Sequence, residues 1–516
     1  MLSSLKSVTL SSYLELEQAK QMDETRASVR SDTGRAQCAK IHQLPPELLS
    51  DIFNRHRPTY NPRTIIQSWN FVGEQPVQTS FRLAAVCRAW RGIALADARL
   101  WTTIIIPHKA PTREPAQTWS SKALALVDAA IPIIESALVF DSYRIASWEA
   151  RMLKRIDMGL KRSRDLPIDF KFELIDAVHA PAFEPLVLRL AAHAHRWRSV
   201  SVTFSGALTF QTFLSLVTKP TPQLRALKLD LWQRNFPIWS VDNVWPVAGL
   251  NSAEARILPH APRIESLTLS NVKIVPKCHQ LVQFDADGIK LGDETWQVIS
   301  NNRESLQALT LTGERQIDDS PRPVQLPHLT ELVIGGEIGA HIEDGRLRAD
   351  FIVMPQLESL VVYGGKRGQT GLHHLISVNR FEHLRKLRLC GLHSLHQSSA
   401  CVLALATLSN IRRLELSDCT MPDELLAKMC VSTPADCVIW PRLEVLVIGS
   451  KIEKMLSRRI LKMARLRGHH QPRDDADKKL RPWAVLEVNV LSVQEFPKWW
   501  DDEIAALAKE AARLRH

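Results

Sequence analysis

Histidines come in close pairs along this chain, at His193/His195, His373/His374, His393/His396 and His469/His470. Two imidazoles at such spacing can begin a zinc site, but the shell closes only with a second Cys, His or carboxylate pair. None stands at zinc-like spacing beside these, so no metal is expected. The turn YGGKRGQTG at 363–371 has the glycines of a phosphate loop. A phosphate loop ends on Lys followed by Ser or Thr, whereas Lys366 comes early, so a glycine-rich turn between a strand and a helix is the better reading. There is no HExxH and no GxSxG, and no nucleophile has a visible base. No catalytic residue and no cofactor is therefore assigned. What remains is recognition chemistry. Lys386, Arg388 and Arg413 are cations suited to carboxylate or phosphate, with Glu415 at hand as their own partner.

The chain that must position these groups has 516 residues, enough for two to four domains or for one small domain and a long array. Hydrophobic residues make up 45% and charged residues 23%, which excludes a mainly disordered chain. The formal net charge of +11 is mild for this length; it permits acidic partners without demanding nucleic acid. Eight cysteines, none in a CxxC pair and most within apolar runs, read as reduced, buried thiols of an intracellular protein, cytoplasmic or nuclear. No run of eighteen apolar residues marks a membrane span, and the N-terminus lacks the apolar core of a secretory signal.

Residues 1–40 read as a flexible or partly helical lead-in. At 41–53 the character changes to IHQLPPELLSDIF, where proline opens a helix and Leu48, Leu49, Ile52 and Phe53 follow at helical spacing. Residues 54–80 are a loop-like insertion. FRLAAVCRAWRGIALADARLWTTIII then gives a second helix, a third short helix and an extended end over 81–106. The ordered set Leu-Pro-x-Glu, Ile-Phe, Val-Cys-Arg-x-Trp and Leu-Trp resembles an F-box. That resemblance implies a three-helix unit over 41–106 that docks on a Skp-type adaptor and, through it, on a cullin–RING ubiquitin ligase. The contact residues it implies are Leu44, Pro45, Leu48, Leu49, Ile52, Val86, Cys87, Trp90 and Trp101. Three short helices cannot cover so many large apolar side chains unaided.

From about residue 195 to 500 a second signal dominates. The pattern apolar-x-x-apolar-x-apolar recurs as LRALKL (224–229), IESLTL (264–269), LVQFDA (281–286), LQALTL (306–311), LTELVI (329–334), LESLVV (357–362), LRKLRL (384–389), IRRLEL (411–416) and LEVLVI (443–448). WRSVSV at 197–202 is a weaker copy, and many copies follow Pro or His closely, as in PQL and PHL. Copies repeat mostly at about 25–28 residues with helix-like runs between them, which is the period of stacked supersecondary units. The fourth and sixth positions of each copy point to one face of a short strand, and neighbours must stack to bury it. The array resembles leucine-rich repeats, degenerate because only Cys419 properly fills the family's Asn/Cys position. The fold class expected is thus α/β: an N-terminal three-helix F-box followed by an irregular leucine-rich repeat solenoid of parallel strands backed by helices.

The third, fifth and seventh positions of each copy should face solvent and receive a protein substrate. Lys228, Asp285, Thr310, Lys386, Arg388, Arg413 and Glu415 are the candidates. Residues 107–194 form irregular first units, with a strand at about 166–173; RSRDLPIDFKF there resembles a segment of fungal F-box/leucine-rich repeat-like proteins. A basic amphipathic run at 451–467 reads as the outer helix of a late repeat, and 501–516 as a terminal helix. The function so implied is a ubiquitin-ligase substrate adaptor without enzymatic activity. An interaction scaffold outside any ligase and a basic nucleic-acid-associated protein are the alternatives; binding to membranes is not expected.

Overall fold

The computed structural model describes residues 44–55, 76–106, 146–173, 180–204, 207–216, 219–231, 261–272, 279–288, 293–313, 323–336, 351–364, 371–392, 399–417, 419, 440, 442–449 and 485–488. The lead-in, most of the insertion at 54–80, the basic run at 451–467 and the terminal helix at 501–516 lie outside them. The chain divides into two compact units. One holds the chain up to Ile105 together with Met158–Leu166; the other holds Ile106–Asp157 and Pro167 onward.

The first unit contains helices α1 (Pro46–Arg55), α2 (Pro76–Val86) and α3 (Arg88–Ala96), then a 3-10 turn at Ala98–Trp101 and the start of strand β1 (Thr103–Ile106). Pro46 opens α1, where a missing N–H costs nothing, and Glu47 places negative charge in the first turn. Leu49 and Phe53, one turn apart, are buried with Ala94, Leu100 and Trp101. Phe53 meets Trp90 at 4.8 Å between ring centroids, and Phe81 meets Trp101 edge-on at 5.2 Å. Met158–Leu166 comes from the end of a helix over 146–162, α4, and the turn after it. Its Arg162 guanidinium lies 4.3 Å over the Trp101 ring. Gly159 permits close packing there: a Cβ would stand 3.2 Å from Cγ1 of Ile104, which would have to give by a few tenths of an ångström.

The second unit is built on strands β2 (Ile168–Glu173), β3 (Trp197–Phe204), β4 (Ala226–Leu231), β5 (Ser266–Ser270), β6 (Gln283–Asp287), β7 (Ala308–Gly313), β8 (Val324–Gln325), β9 (Glu331–Gly336), β10 (Ile352–Val353), β11 (Ser359–Tyr363), β12 (Lys386–Cys390), β13 (Arg413–Ser417), β14 (Val445–Gly449) and β15 (Val485–Val488). Between them run helices α5 (Ala180–Ala191), α6 (Ala207–Leu216), α7 (Asp293–Asn301), α8 (Gly371–Asn379) and α9 (Ser399–Thr407). Apart from β8 and β10, which pair with each other, β2 to β15 form one parallel sheet in chain order.

Every apolar copy in the sequence pairs with its successor in frame. Leu227, Leu267, Phe284, Leu309, Leu332, Leu360, Leu387, Leu414 and Leu446 stand in one cross-strand row. None of them is more than 2% exposed. The first apolar residue of each copy is also buried, from Leu224 to Leu443. A one-residue slip would turn this whole set outward, so the apolar pattern fixes the register.

The prolines before the copies acquire a reason. Leu224 N–H donates to Thr221 O at 3.1 Å, Ile264 to Ala261 at 3.4 Å, Leu329 to Leu326 at 3.3 Å and Leu357 to Met354 at 3.4 Å. Each closes a four-residue turn whose second residue is proline (Pro222, Pro262, Pro327, Pro355), whose fixed φ suits that position. Asparagines at helix ends tie back to the turn that opens the preceding strand. The Asn302 side chain takes the Leu281 N–H at 2.9 Å and donates to Val298 O at 2.8 Å. Asn379 does the same with Met354 N–H and Leu375 O, both at 3.1 Å. Cys390, Cys401 and Cys419 are buried thiols not joined in disulfides, and burial pushes Cys401 up to about 11.

The glycine-rich turn begins at Gly364, after β11. A Cβ there would meet Gly391 O at 2.5 Å, so the close approach of neighbouring turns demands glycine.

Candidate interaction surfaces

Two surfaces emerge, one in each unit. In the first, the stripe of α1 beside the buried Leu49 and Phe53, about 100° round the helix, carries Leu48 and Ile52, which are 51% and 40% exposed. They too are one turn apart, so α1 has two apolar edges and the unit's own core occupies only one. Val86, at the end of α2, is 57% exposed, and Leu95 of α3 is 38% exposed. Half of the large exposed apolar side chains among the described residues thus sit on this small unit, a concentration that marks an interaction surface.

The expected contact residues divide by burial. Pro45, Leu48, Ile52 and Val86 are exposed, whereas Leu44, Cys87 and Trp90 are half-buried. Leu49 and Trp101 are core residues, each 4% exposed. The Trp101 indole N–H donates to Ala94 O at 2.7 Å, fastening the 3-10 turn to the last turn of α3. Cys87 caps α3: its sulfur accepts the Trp90 backbone N–H at 3.4 Å from extended backbone.

A polar clamp, silent in the sequence pattern, sets the pose of α1. Asp97, just beyond α3, accepts hydrogen bonds from the Ser50 hydroxyl and, at 2.8 Å, from Nδ2 of Asn54, both on α1. It also takes the Arg99 backbone N–H at 3.0 Å and the Arg99 guanidinium at 3.0–3.1 Å. Burial alone would raise this carboxyl. The hydrogen bonds from Arg99, Ser50 and Asn54 outweigh it and hold the carboxyl at about 2. Asp97, Ser50, Asn54, Arg99 and the exposed Leu95 were not among the expected site residues. The Asp-x-Arg spacing beside Leu-Trp was the available signal for the clamp, but its α1 partners lie over forty residues away.

In the second unit the candidate polar residues share one face of the sheet, but that face is not solvent-exposed throughout as expected. Lys228, Thr268, Asp285 and Thr310 are neighbours in one cross-strand row, which continues through Val333 and Val361 to Arg388 and Glu415. Toward β6 the row is closed. Asp285 is only 3% exposed, and it accepts from Thr268 Oγ1 at 3.0 Å and Gln283 Nε2 at 3.1 Å. Burial pushes the Asp285 carboxyl up to about 6, against the hydrogen bonds from Thr310, Thr268 and Gln283. Lys228 and Thr310 are half-buried beside it.

Toward β12 the row opens. Lys386 and Arg388 are exposed, and Arg413 and Glu415 stand opposite them on β13. Glu415 Oε1 lies 2.6 Å from Arg413 Nε, and its Oε2 lies 3.5 Å from Arg388 Nε. Of the histidine pairs, the rings of His193 and His195 are 6.3 Å apart and those of His373 and His374 3.8 Å. The other two pairs lie outside the described residues. Among the described residues, no helix is long and apolar enough to cross a membrane.

Residues 41–107 match the F-box-like family model. The F-box-like unit so delimited contains α1, α2 and α3, with the exposed pair Leu48 and Ile52 on its first helix. No curated protein matches the chain. The first unit is thus F-box-like, and the second is built on a large parallel sheet.

Proposed function

We propose that this chain is a protein-interaction adaptor of an SCF-type (Skp–cullin–F-box) ubiquitin ligase, not a catalyst. The F-box-like unit binds a Skp-type adaptor, and the sheet unit, read as a degenerate leucine-rich repeat array, holds the protein to be modified. One observation carries the first half. Leu48 and Ile52 remain exposed on a helix whose other apolar edge, Leu49 and Phe53, is fully used by the core. Covering such side chains from water releases roughly 1.5–3 kcal/mol each before the costs of association. Leu44, Pro45, Val86, Cys87 and Trp90 complete the contact set. Leu49 and Trp101 support the surface from beneath.

In-frame stacking of one strand per copy supports the repeat reading, since no single copy can bury its apolar face alone. The seat of action is the cytoplasm or nucleus, where such ligases work.

The test is binding of the purified full chain to a purified Skp-type adaptor by calorimetry. Leu48→Asp with Ile52→Asp should abolish binding while leaving the unfolding transition in place, because neither side chain is in the core. Unchanged affinity in the double variant would show that this surface is not the docking site.

A further inference from the structure

We infer that the open part of the sheet's polar face, over β11–β13, docks an acidic segment of a protein partner, its carboxylates received by Lys386, Arg388 and Arg413. This inference rests on reading the sheet unit as the partner-holding half of the adaptor.

The register makes the geometry definite. Lys386 pairs with Arg413, and Arg388 with Glu415, so four charged side chains occupy a two-by-two block on one face of adjacent strands. Strands in a sheet lie about 4.8 Å apart and residues i and i+2 about 6.6 Å apart, so one acidic side chain can reach two of the cations together. The block holds three cations and one carboxylate. Glu415 is the most covered of the three ion-paired groups, its side chain 21% exposed against 44% for Arg388 and 43% for Arg413. Its two oxygens engage both guanidiniums, which shows that the gap between them accepts a carboxylate. Among the described residues Lys386 has no carboxylate partner, and Arg388 meets Glu415 through Nε and also hydrogen-bonds Cys390. Guanidinium donors and an ammonium are left for an incoming anion.

The surroundings favour a peptide over other polyanions. In the same cross-strand row, Val361 precedes Arg388 and Val447 follows Glu415, both half-buried. Tyr363, at the end of β11, is 41% exposed. Cations bordered by valine and tyrosine suit a chain that alternates acidic and apolar side chains, and Tyr and Arg are the residue types that carry binding energy in protein interfaces. A duplex nucleic acid carries one charge per roughly 1.7 Å and is held by extended basic stripes. Here the next positions of the row are valines. Toward β6 the same row cannot serve, since Asp285 is buried and hydrogen-bonded to its neighbours.

The test uses the full chain and a fluorescent synthetic peptide alternating Glu and Val, with a Gln/Val peptide of equal length as control. Fluorescence anisotropy should show binding of the Glu peptide that weakens with added salt, and little binding of the Gln peptide. Lys386→Glu with Arg388→Glu should weaken the Glu peptide by at least about tenfold, and Glu415→Gln should tighten it. Unchanged thermal unfolding verifies that both variants fold. Equal binding of the two peptides, or indifference to the charge reversal, overturns the inference. So does single-stranded RNA that binds as tightly as the Glu peptide and is lost in the same variant. Adaptor binding is measured on the same preparations. If it persists while the peptide result fails, only the docking inference falls; if it is absent in the unaltered chain, the adaptor reading falls first.

Discussion

Asp97→Asn isolates the clamp that poses α1. The carboxylate gathers two hydrogen bonds from α1, from Ser50 and Asn54, and three from Arg99. Its folded value of about 2 lies below the ordinary 3.8, so the group binds protons less readily in the folded state. The stability it confers is therefore fully present above the unfolded value and is lost as pH falls through about 4 toward 2. A depression of nearly two units corresponds to roughly 2.4 kcal/mol, and partial solvent screening around the exposed Arg99 reduces this to about 1–2 kcal/mol. At neutral pH the asparagine variant should open α1 more readily by that amount. The gap to the unaltered chain should close as the pH is taken down to about 2. Hydrogen exchange over residues 46–55 as a function of urea, read by mass spectrometry at several pH values, measures it locally. A gap that stays constant from neutral pH to pH ~2 would refute the assignment of the stabilisation to the Asp97 charge.

Two further perturbations probe the sheet unit. Asp285 has the opposite sign: its folded value of about 6 lies above the ordinary 3.8, so the stability linked to it is fully present below the unfolded value and is lost as pH rises through about 6. Asp285→Asn should therefore gain on the unaltered chain, by up to about 3 kcal/mol in urea melts, between pH ~4 and pH ~8; parallel melts across that range would contradict it. Gly364→Ala drives a methyl to within 2.5 Å of Gly391 O, so β11 and β12 must part at that end, and thermal unfolding should drop by several degrees; an unchanged midpoint would show that the turn yields freely.

Much of the sheet unit was legible because its signal is local and repeated. Each copy states which side chains are apolar, and burial of those side chains fixes which strand residues pair. Leu360 opposite Leu387 and Leu387 opposite Leu414 follow from spacing alone. The prolines were visible as a regularity before their turns explained them. The first unit was legible through its motif, since residues 41–107 match the F-box-like model. What escaped is non-local. Nothing near Met158–Leu166 says that it belongs to a unit ending at Ile105, because the decisive fact is the fit of Gly159 against Ile104 and of Arg162 over Trp101. The Asp97 clamp escaped for the same reason. Position within a motif also says nothing about depth: Leu48 and Leu49 are adjacent in the string, and one is exposed while the other is core.

Depth decides where the sheet's polar face can recognise anything. Strand alternation sends Lys228, Asp285, Arg388 and Glu415 to the same side, yet that side is not uniform. Around Asp285 the neighbours are short hydroxyl and amide groups, Thr268, Thr310 and Gln283, which reach one another and satisfy the carboxylate internally. A polar group so engaged has little to offer a ligand, since any new contact must first break an existing one in a low-dielectric setting. At β12 and β13 the side chains are long, and one carboxylate, Glu415, is shared by Arg388 and Arg413 while Lys386 stands exposed beside them. An arriving carboxylate there adds contacts without undoing any at Lys386. Unequal side-chain length along otherwise equivalent strands thus confines recognition to one stretch of a continuous sheet, and substitutions at Asp285 should alter stability while those at Lys386 alter binding.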